Sequence, residues 1–193
     1  MGTSIDRLVN DLEVDDASTQ GSALARLIVR GKPAVPALEH VLHTGEARQR
    51  ALAAEGLSTI ADPSSAEALA AALDDADGHV RSLAAAGLAH MGDPRGIPAL
   101  VRTLNDDPDI QHADLSRSAY ELARLGTEAV PAVTPLLTDA REATRWKAMW
   151  IVQQIFASDP AARDLVESFD PMASLAERDR LAARWQQWLK ARS

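Results

Sequence analysis

The chain has 193 residues, of which 46% are hydrophobic and 4% aromatic, and it carries a formal net charge of −8 with no cysteine. The missing thiols exclude disulfides, thiolate metal sites and cysteine nucleophiles. The acidic balance disfavours DNA or RNA binding, because non-specific affinity for nucleic acid comes from cationic side chains. The apolar residues are mostly Ala and Leu, which favour helices, so the composition predicts an all-α protein.

The N-terminal stretch MGTSIDRLVNDLEVDD is acidic and lacks a hydrophobic signal core. No apolar run approaches the ~20 residues that a membrane span needs. We therefore expect a cytoplasmic protein without membrane association. Within this stretch, residues 4–14 are predicted to form a helix, and residues 1–17 are assigned to an N-terminal cap.

One pattern occurs twice in the middle of the chain, as QRALAAEGLSTIADPSSAEALAAAL (49–73) and as VRSLAAAGLAHMGDPRGIPALVRTL (80–104). A repeat of this length is typical of units that stack side by side. Two glycines, Gly56 and Gly87, fall in the middle of a predicted helix, where glycine costs up to ~1 kcal/mol relative to alanine. Their equal position in the two copies predicts close contact between helices.

Each unit is predicted to contain two helices. In the second copy, GDPRG separates them, because Gly92 can cap a helix and Pro94 cannot continue one. The runs DDADGH (74–79) and NDDPD (105–109) are predicted to be turns with Asp caps. The apolar stripe of the first helix contains Leu83, Ala84, Gly87, Leu88 and Met91, and that of the second contains Ile97, Leu100, Val101 and Leu104.

Weaker copies of the pattern occupy residues 23–42, 116–137 and 141–166. We predict a single domain over residues 1–193, with about five repeats in residues 18–166 and a C-terminal capping helix in residues 167–193. The second helices of the first four units are expected at residues 35–43, 65–73, 96–104 and 129–137.

The segment VRSLAAAGLAHMGDPRGIPALVRTL resembles the HEAT repeat, in the short bacterial form named after phycobilisome lyases. The resemblance implies a right-handed α-solenoid of helical hairpins with helical caps. In HEAT families a recurring Arg and Asp form a ladder between adjacent repeats. This implies a structural role for Arg50, Arg81, Arg145, Asp62 and Asp93.

By the same resemblance, the second helices line a concave surface. After the apolar stripes are assigned to the core, its exposed positions include Glu39, His40, His43, Ala70, Arg102, Thr103 and Thr134. This mixed surface suits a protein or peptide better than a polyanion. We therefore expect a non-catalytic scaffold that binds a protein or peptide partner, with His40, His43 and Arg102 as contact residues. The sequence carries no signal for an oligomeric state.

Trp146 and Trp150 fall about where the central unit has small residues, so we expect the element after them to differ from an ordinary repeat. The tail supplies Leu181, Ala182, Trp185 and Trp188 at helical spacing. Two interpretations remain open. The four tryptophans can form a cap that seals the last repeat, which we favour, or Trp146 and Trp150 can form an aromatic binding site for the partner.

An enzymatic function is the alternative to a scaffold. His40 and His43 could place two imidazoles on one face for a metal, but no firm third ligand accompanies them, and no phosphate-loop or nucleophile motif occurs. We expect no cofactor. By resemblance, a phycobilin lyase or an alkylpurine DNA glycosylase is an alternative, the latter opposed by the acidic charge. Deoxyhypusine hydroxylases need His-Glu pairs, and this chain has only Glu39–His40 in the reverse order.

Overall fold

The computed structural model describes residues 4–106, 115–168, 170 and 173–192. The regular elements in these ranges are all α-helices or 3-10 turns, which confirms the all-α prediction. The chain divides into two compact units, Met1–Ala99 and Leu100–Ser193, and the division falls inside the helix Gly96–Arg102.

The helices of the first unit form two layers. In chain order they are α1 (Ile5–Glu13), α2 (Ala17–Arg30), α3 (Val35–Thr44), α4 (Ala47–Ile60), α5 (Ala66–Ala72) and α6 (Gly78–His90). One layer contains α2, α4 and α6, and the other contains α1, α3 and α5. Across the layers α3 packs on α4, and α5 packs on α6. Leucines from both layers, among them Leu38, Leu57 and Leu69, are 0% exposed.

The turns between the helices follow the predicted chemistry. Gly92 comes just after α6 with φ +70°, a left-handed conformation that glycine adopts freely, and this confirms it as the residue that ends the helix. The carboxylate of Asp77 accepts hydrogen bonds from the backbone N–H groups of His79 and Val80, with N···O distances of 2.8 and 3.2 Å. The segment 74–79 is therefore a capped turn, as predicted. Part of the second predicted turn, residues 107–109, lies outside the described residues.

The second unit follows the helix α7 (Gly96–Arg102). It contains α8 (Arg117–Leu125), α9 (Val130–Val133), α10 (Glu142–Ile155), α11 (Arg163–Glu167) and α12 (Leu175–Lys190). Both α8 and α9 pack on α10, while α12 packs on α10, α11 and the 3-10 turn Thr134–Thr138. The helix predicted at 129–137 is shorter than expected, because Pro135 has no N–H to donate to the carbonyl of Pro131. The chain continues there as the 3-10 turn.

The apolar stripes predicted for the central repeat are mostly buried. Leu83, Leu88, Leu100 and Leu104 are at most 2% exposed, while Met91, Ile97 and Val101 are half-buried. The prediction that Thr103 is exposed is wrong. Its side chain is fully buried, and its hydroxyl lies 2.8 Å from that of Ser118, so two polar groups satisfy each other inside the second unit.

Gly56 and Gly87 lie at close contacts between helices of the first unit. A Cβ on Gly56 would come within 3.0 Å of a methyl of Leu24 and 3.1 Å of one of Leu38. A Cβ on Gly87 would lie 2.7 Å from a methyl of Leu69 and 3.2 Å from the Cα of Ser58. The prediction that these glycines permit close helix contact is confirmed.

We expect Gly87→Ala to lower the free energy of unfolding by about 1–3 kcal/mol, because the new methyl presses on the backbone of Ser58, which cannot rotate away. The matched control is Gly21→Ala in the middle of α2, where nothing lies within 4 Å of the added Cβ. That change should raise stability by up to ~1 kcal/mol. Urea unfolding of both variants measures the difference. Equal stability of Gly87→Ala and the wild type would contradict the close packing.

Candidate functional site

A groove of about 290 Å³ opens in the first unit between α3 and α5. Its lining residues are Glu39, Leu42, His43, Arg50, Ala68, Ala71, Ala72 and Asp75. Because α3 and α5 are two of the predicted second helices, this α3–α5 groove lies on the helices that the sequence assigned to partner binding.

The two walls of the groove differ in character. Glu39 and His43 stand one helical turn apart on the same side of α3. Neither side chain makes a hydrogen bond or ion pair with the described residues. The wall from α5 consists of alanines, of which Ala71 is exposed. Short side chains on this wall leave room for another chain to approach the helix closely.

An ion pair closes the groove at one side. Nε and Nη2 of Arg50 each donate to one carboxylate oxygen of Asp75, both at 2.7 Å, and Nη1 donates to the carbonyl of Gly45 at 3.0 Å. The two side chains are 21% and 12% exposed. This two-bond geometry is the strong form of a charged hydrogen bond. The bonds from Arg50 hold the pKa of Asp75 below its usual value.

Arg50 belongs to a set that we call the seam arginines, Arg50, Arg81 and Arg145. Nη1 of Arg81 donates to the carbonyls of Asp75 and Ala76, at 2.6 and 3.0 Å. Nη1 of Arg145 donates to the carbonyls of Asp139 and Ala140, at 2.8 and 3.1 Å, and its Nε donates to Asp179 at 2.9 Å. Each arginine therefore satisfies carbonyls in the turn before its own helix, and the structural role expected for the arginines is confirmed.

The prediction that Asp62 and Asp93 pair with the seam arginines is wrong. Asp62 accepts hydrogen bonds from the N–H and hydroxyl of Ser64, at 2.9 and 2.6 Å, and lies 3.5 Å from Lys32. Asp93 is held by Arg95, whose hydrogen bonds lower the pKa of that carboxyl to about 2. Both aspartates cap the turn before a second helix. Arg50 binds Asp75 and Arg145 binds Asp179, and both acids lie outside the repeated Asp-Pro dipeptide.

The histidines predicted as partner contacts are exposed. His43 lines the groove, while His40 lies on the same helix, α3, and is not among the lining residues. In the part of the chain that the structure describes, no group of three or more histidine or acidic side chains is placed to hold a metal ion.

The other predicted contact residues belong to the second unit. Arg102 is exposed on α7. Trp150 is half-buried and meets Tyr120 edge to face, with ring centroids 5.0 Å apart. Trp146 is also half-buried, and the guanidinium of Arg178 from α12 lies 5.0 Å above its ring.

The tail tryptophans have a packing role. Trp185 is fully buried, with its ring centroid 6.0 Å from that of Phe156. Trp188 meets Phe156 at 4.9 Å and donates its indole N–H to the carbonyl of Ala161 at 3.1 Å. These contacts join α12 to the end of α10 and to the turn before α11, which supports the capping interpretation for these two tryptophans.

One buried cation was not predicted from the sequence. Lys147 on α10 is 5% exposed, and its ammonium donates to the carbonyl of Leu104 and to the side-chain oxygen of Asn105, both at 2.9 Å. Lysine is rarely buried unless its charge is satisfied. These hydrogen bonds connect α10 to Leu104 and Asn105, which follow α7.

Residues 35–113 match the family model of HEAT repeats. These residues carry HEAT repeats. No helix in the described ranges is long and apolar enough to cross a membrane.

Solved structures with a similar fold were found. One chain in the structure of the complex of CpcE and CpcF of phycocyanin lyase, from a Nostoc species, is 21% identical to this chain. The match has a TM-score of 0.55 and covers 94% of this chain and 75% of that chain. An engineered protein is 20% identical, with TM-score 0.51, over 98% of each chain. These likenesses place the chain in the α-solenoid fold class and extend to the fold alone. A search of curated proteins found no match.

We expect Arg50→Ala to lower the free energy of unfolding by about 2–3 kcal/mol at neutral pH, because it leaves a mostly buried carboxylate without its partner. The pKa of Asp75 is lower in the folded chain than in the unfolded one. The stabilisation from this carboxylate is therefore present above the unfolded pKa of ~3.9 and lost as pH falls through the lower folded pKa. The difference between wild type and Arg50→Ala should shrink below that pH.

The control for this measurement is Arg48→Ala, an exposed arginine in the same helix, which should change stability by less than ~0.5 kcal/mol. Chemical unfolding at several pH values measures both variants. A loss for Arg50→Ala that stayed constant across the acid range would show that the Asp75 carboxylate does not contribute through this pair.

Proposed function

We propose that this chain is a non-catalytic HEAT-repeat scaffold that binds a protein or peptide partner in the α3–α5 groove. The observation that supports the proposal is the pair of wall side chains, Glu39 and His43. Both point polar groups at the groove without a hydrogen-bond or ion-pair partner among the described residues. Side chains that stabilise the fold, such as Arg50 and Asp75, have their partners already.

The shape of the groove favours a peptide, or a side chain that projects from a partner protein, over an enclosed small molecule. A pocket for a small ligand surrounds most of the ligand surface with apolar walls. This groove is instead open to solvent between two helices of one layer, with a carboxylate, an imidazole and alanines along it. The net charge of −8 opposes a nucleic-acid partner.

Additional contacts are proposed outside the groove. His40 is exposed on α3 beside it, and Arg102 and Trp150 are accessible in the second unit. Trp146, covered on one face by Arg178, offers less surface to a partner. The likeness to the phycocyanin lyase structure is one of fold, so the proposal includes no catalytic step.

The proposal is tested with a substitution that fills the groove. Ala71 is exposed on the α5 wall, so Ala71→Arg should obstruct the groove with less than ~0.5 kcal/mol change in stability. Tagged wild type and variant are used as bait in lysate of the source organism, with and without nuclease. We expect a stoichiometric protein that survives nuclease treatment to be recovered by the wild type and lost by Ala71→Arg.

The matched control is Ala183→Arg, which adds the same side chain at an exposed alanine of α12. It should recover the partner as the wild type does. Equal recovery by Ala71→Arg would show that the partner does not use the groove. Recovery that depends on intact nucleic acid would contradict the scaffold proposal.

A further inference from the structure

We propose that the α3–α5 groove receives a basic side chain, arginine or lysine, from the partner protein, with Glu39 as its counter-ion. This inference rests on the scaffold function proposed above and specifies the chemistry of the partner. It follows from the charges in the groove, the burial of Glu39 and the size of the space.

The charges in the groove leave one carboxylate without a partner. The ionisable lining residues are Glu39, His43, Arg50 and Asp75. Arg50 and Asp75 bind each other through two hydrogen bonds, and the third nitrogen of Arg50 donates to the carbonyl of Gly45. Their charges cancel, and Arg50 is not directed at an incoming anion. The remaining negative charge is that of Glu39.

Glu39 is placed to gain from an ion pair. Its side chain is half-buried next to the buried Leu42, so water surrounds it only in part. An opposite charge interacts more strongly with such a carboxylate than with one in bulk water. The alanines of α5 opposite Glu39 offer an apolar surface for the methylene stem that lysine and arginine carry behind their charge.

The space fits one long side chain better than a folded element. The groove has a volume of about 290 Å³, at the lower limit of the ~300–1,000 Å³ that pockets for whole small ligands occupy. The net charge of the whole chain, −8, adds long-range attraction for a cationic partner and disfavours a second copy of this chain as the occupant.

The experiment uses defined peptides and the full-length protein. An acetylated peptide of alternating glycine and arginine is titrated into ¹⁵N-labelled protein at low salt, and amide shifts in α3 and α5 give the affinity. A second peptide replaces each arginine with citrulline, which keeps the shape and removes the charge. A third carries lysine. We expect the arginine or the lysine peptide to shift resonances of α3 and α5, and the citrulline peptide to bind at least about tenfold more weakly.

Two variants locate the charge. Glu39→Gln should weaken binding of the basic peptide about tenfold, because it removes the counter-ion and keeps the side-chain shape. Glu128→Gln, at an exposed glutamate of the second unit, changes the net charge by the same amount and should bind as the wild type does. Equal weakening by both variants would show general attraction to an acidic protein and would overturn the assignment to Glu39.

Failure of this inference can be separated from failure of the scaffold proposal. If neither basic peptide binds, or if Glu39→Gln binds as well as wild type, the basic side chain is wrong. The scaffold proposal still stands in that case if Ala71→Arg loses the natural partner and Ala183→Arg keeps it. If Ala71→Arg keeps the natural partner as well, both proposals are wrong.

Discussion

The stacking of helices in this chain depends on how the turns between repeats are satisfied. A turn that comes close to the next helix would hide carbonyl groups from water, and a hidden carbonyl without a hydrogen bond is costly. The seam arginines solve this, because each reaches back from the first turn of its helix to carbonyls of the preceding turn. Arg50 and Arg145 also bind a carboxylate further along the chain. One side chain thus satisfies the backbone and fixes which element lies next to it.

The same helix position carries contacts of other kinds in α2, α8 and α12. One turn into α2 stands Gln20, whose amide donates to the carbonyl of Leu12 at 3.0 Å, and one turn into α8 stands Tyr120, which packs on Trp150. In α12 the position is Arg178, 3.5 Å from Glu142 and stacked over Trp146. The position therefore joins neighbouring helices in both units, while its chemistry changes from amide to guanidinium to aromatic ring.

The sequence predicted what local periodicity and repetition determine. Helix positions, the glycine turns and the close contact at Gly56 and Gly87 follow from spacing, because each depends on residues near in sequence. The acid partner of an arginine was not predictable in this way, since Asp75 and Asp179 lie at different separations from Arg50 and Arg145. The burial of Thr103 and Lys147 was not predicted either. A hydroxyl or ammonium group can be buried when it forms hydrogen bonds with residues that are distant in the sequence, and sequence spacing does not identify those residues. Of the candidate site, His43 and Glu39 were identified on an exposed helix face, whereas the Arg50–Asp75 pair beside them was not.

In the first unit, the side chains that bind the turns between repeats are different from the polar and small side chains on the walls of the groove. This difference affects how the protein can evolve. The side-chain hydrogen bonds of Arg50 and Arg81 to the turns between repeats come from α4 and α6. The side chains of Glu39, His43 and Ala71 make no hydrogen bond or ion pair with the described residues. Substitutions at these wall positions alter the chemistry offered to another molecule with little effect on folding. Natural selection, or a protein engineer, can therefore redirect the groove to a new target while the architecture is inherited unchanged.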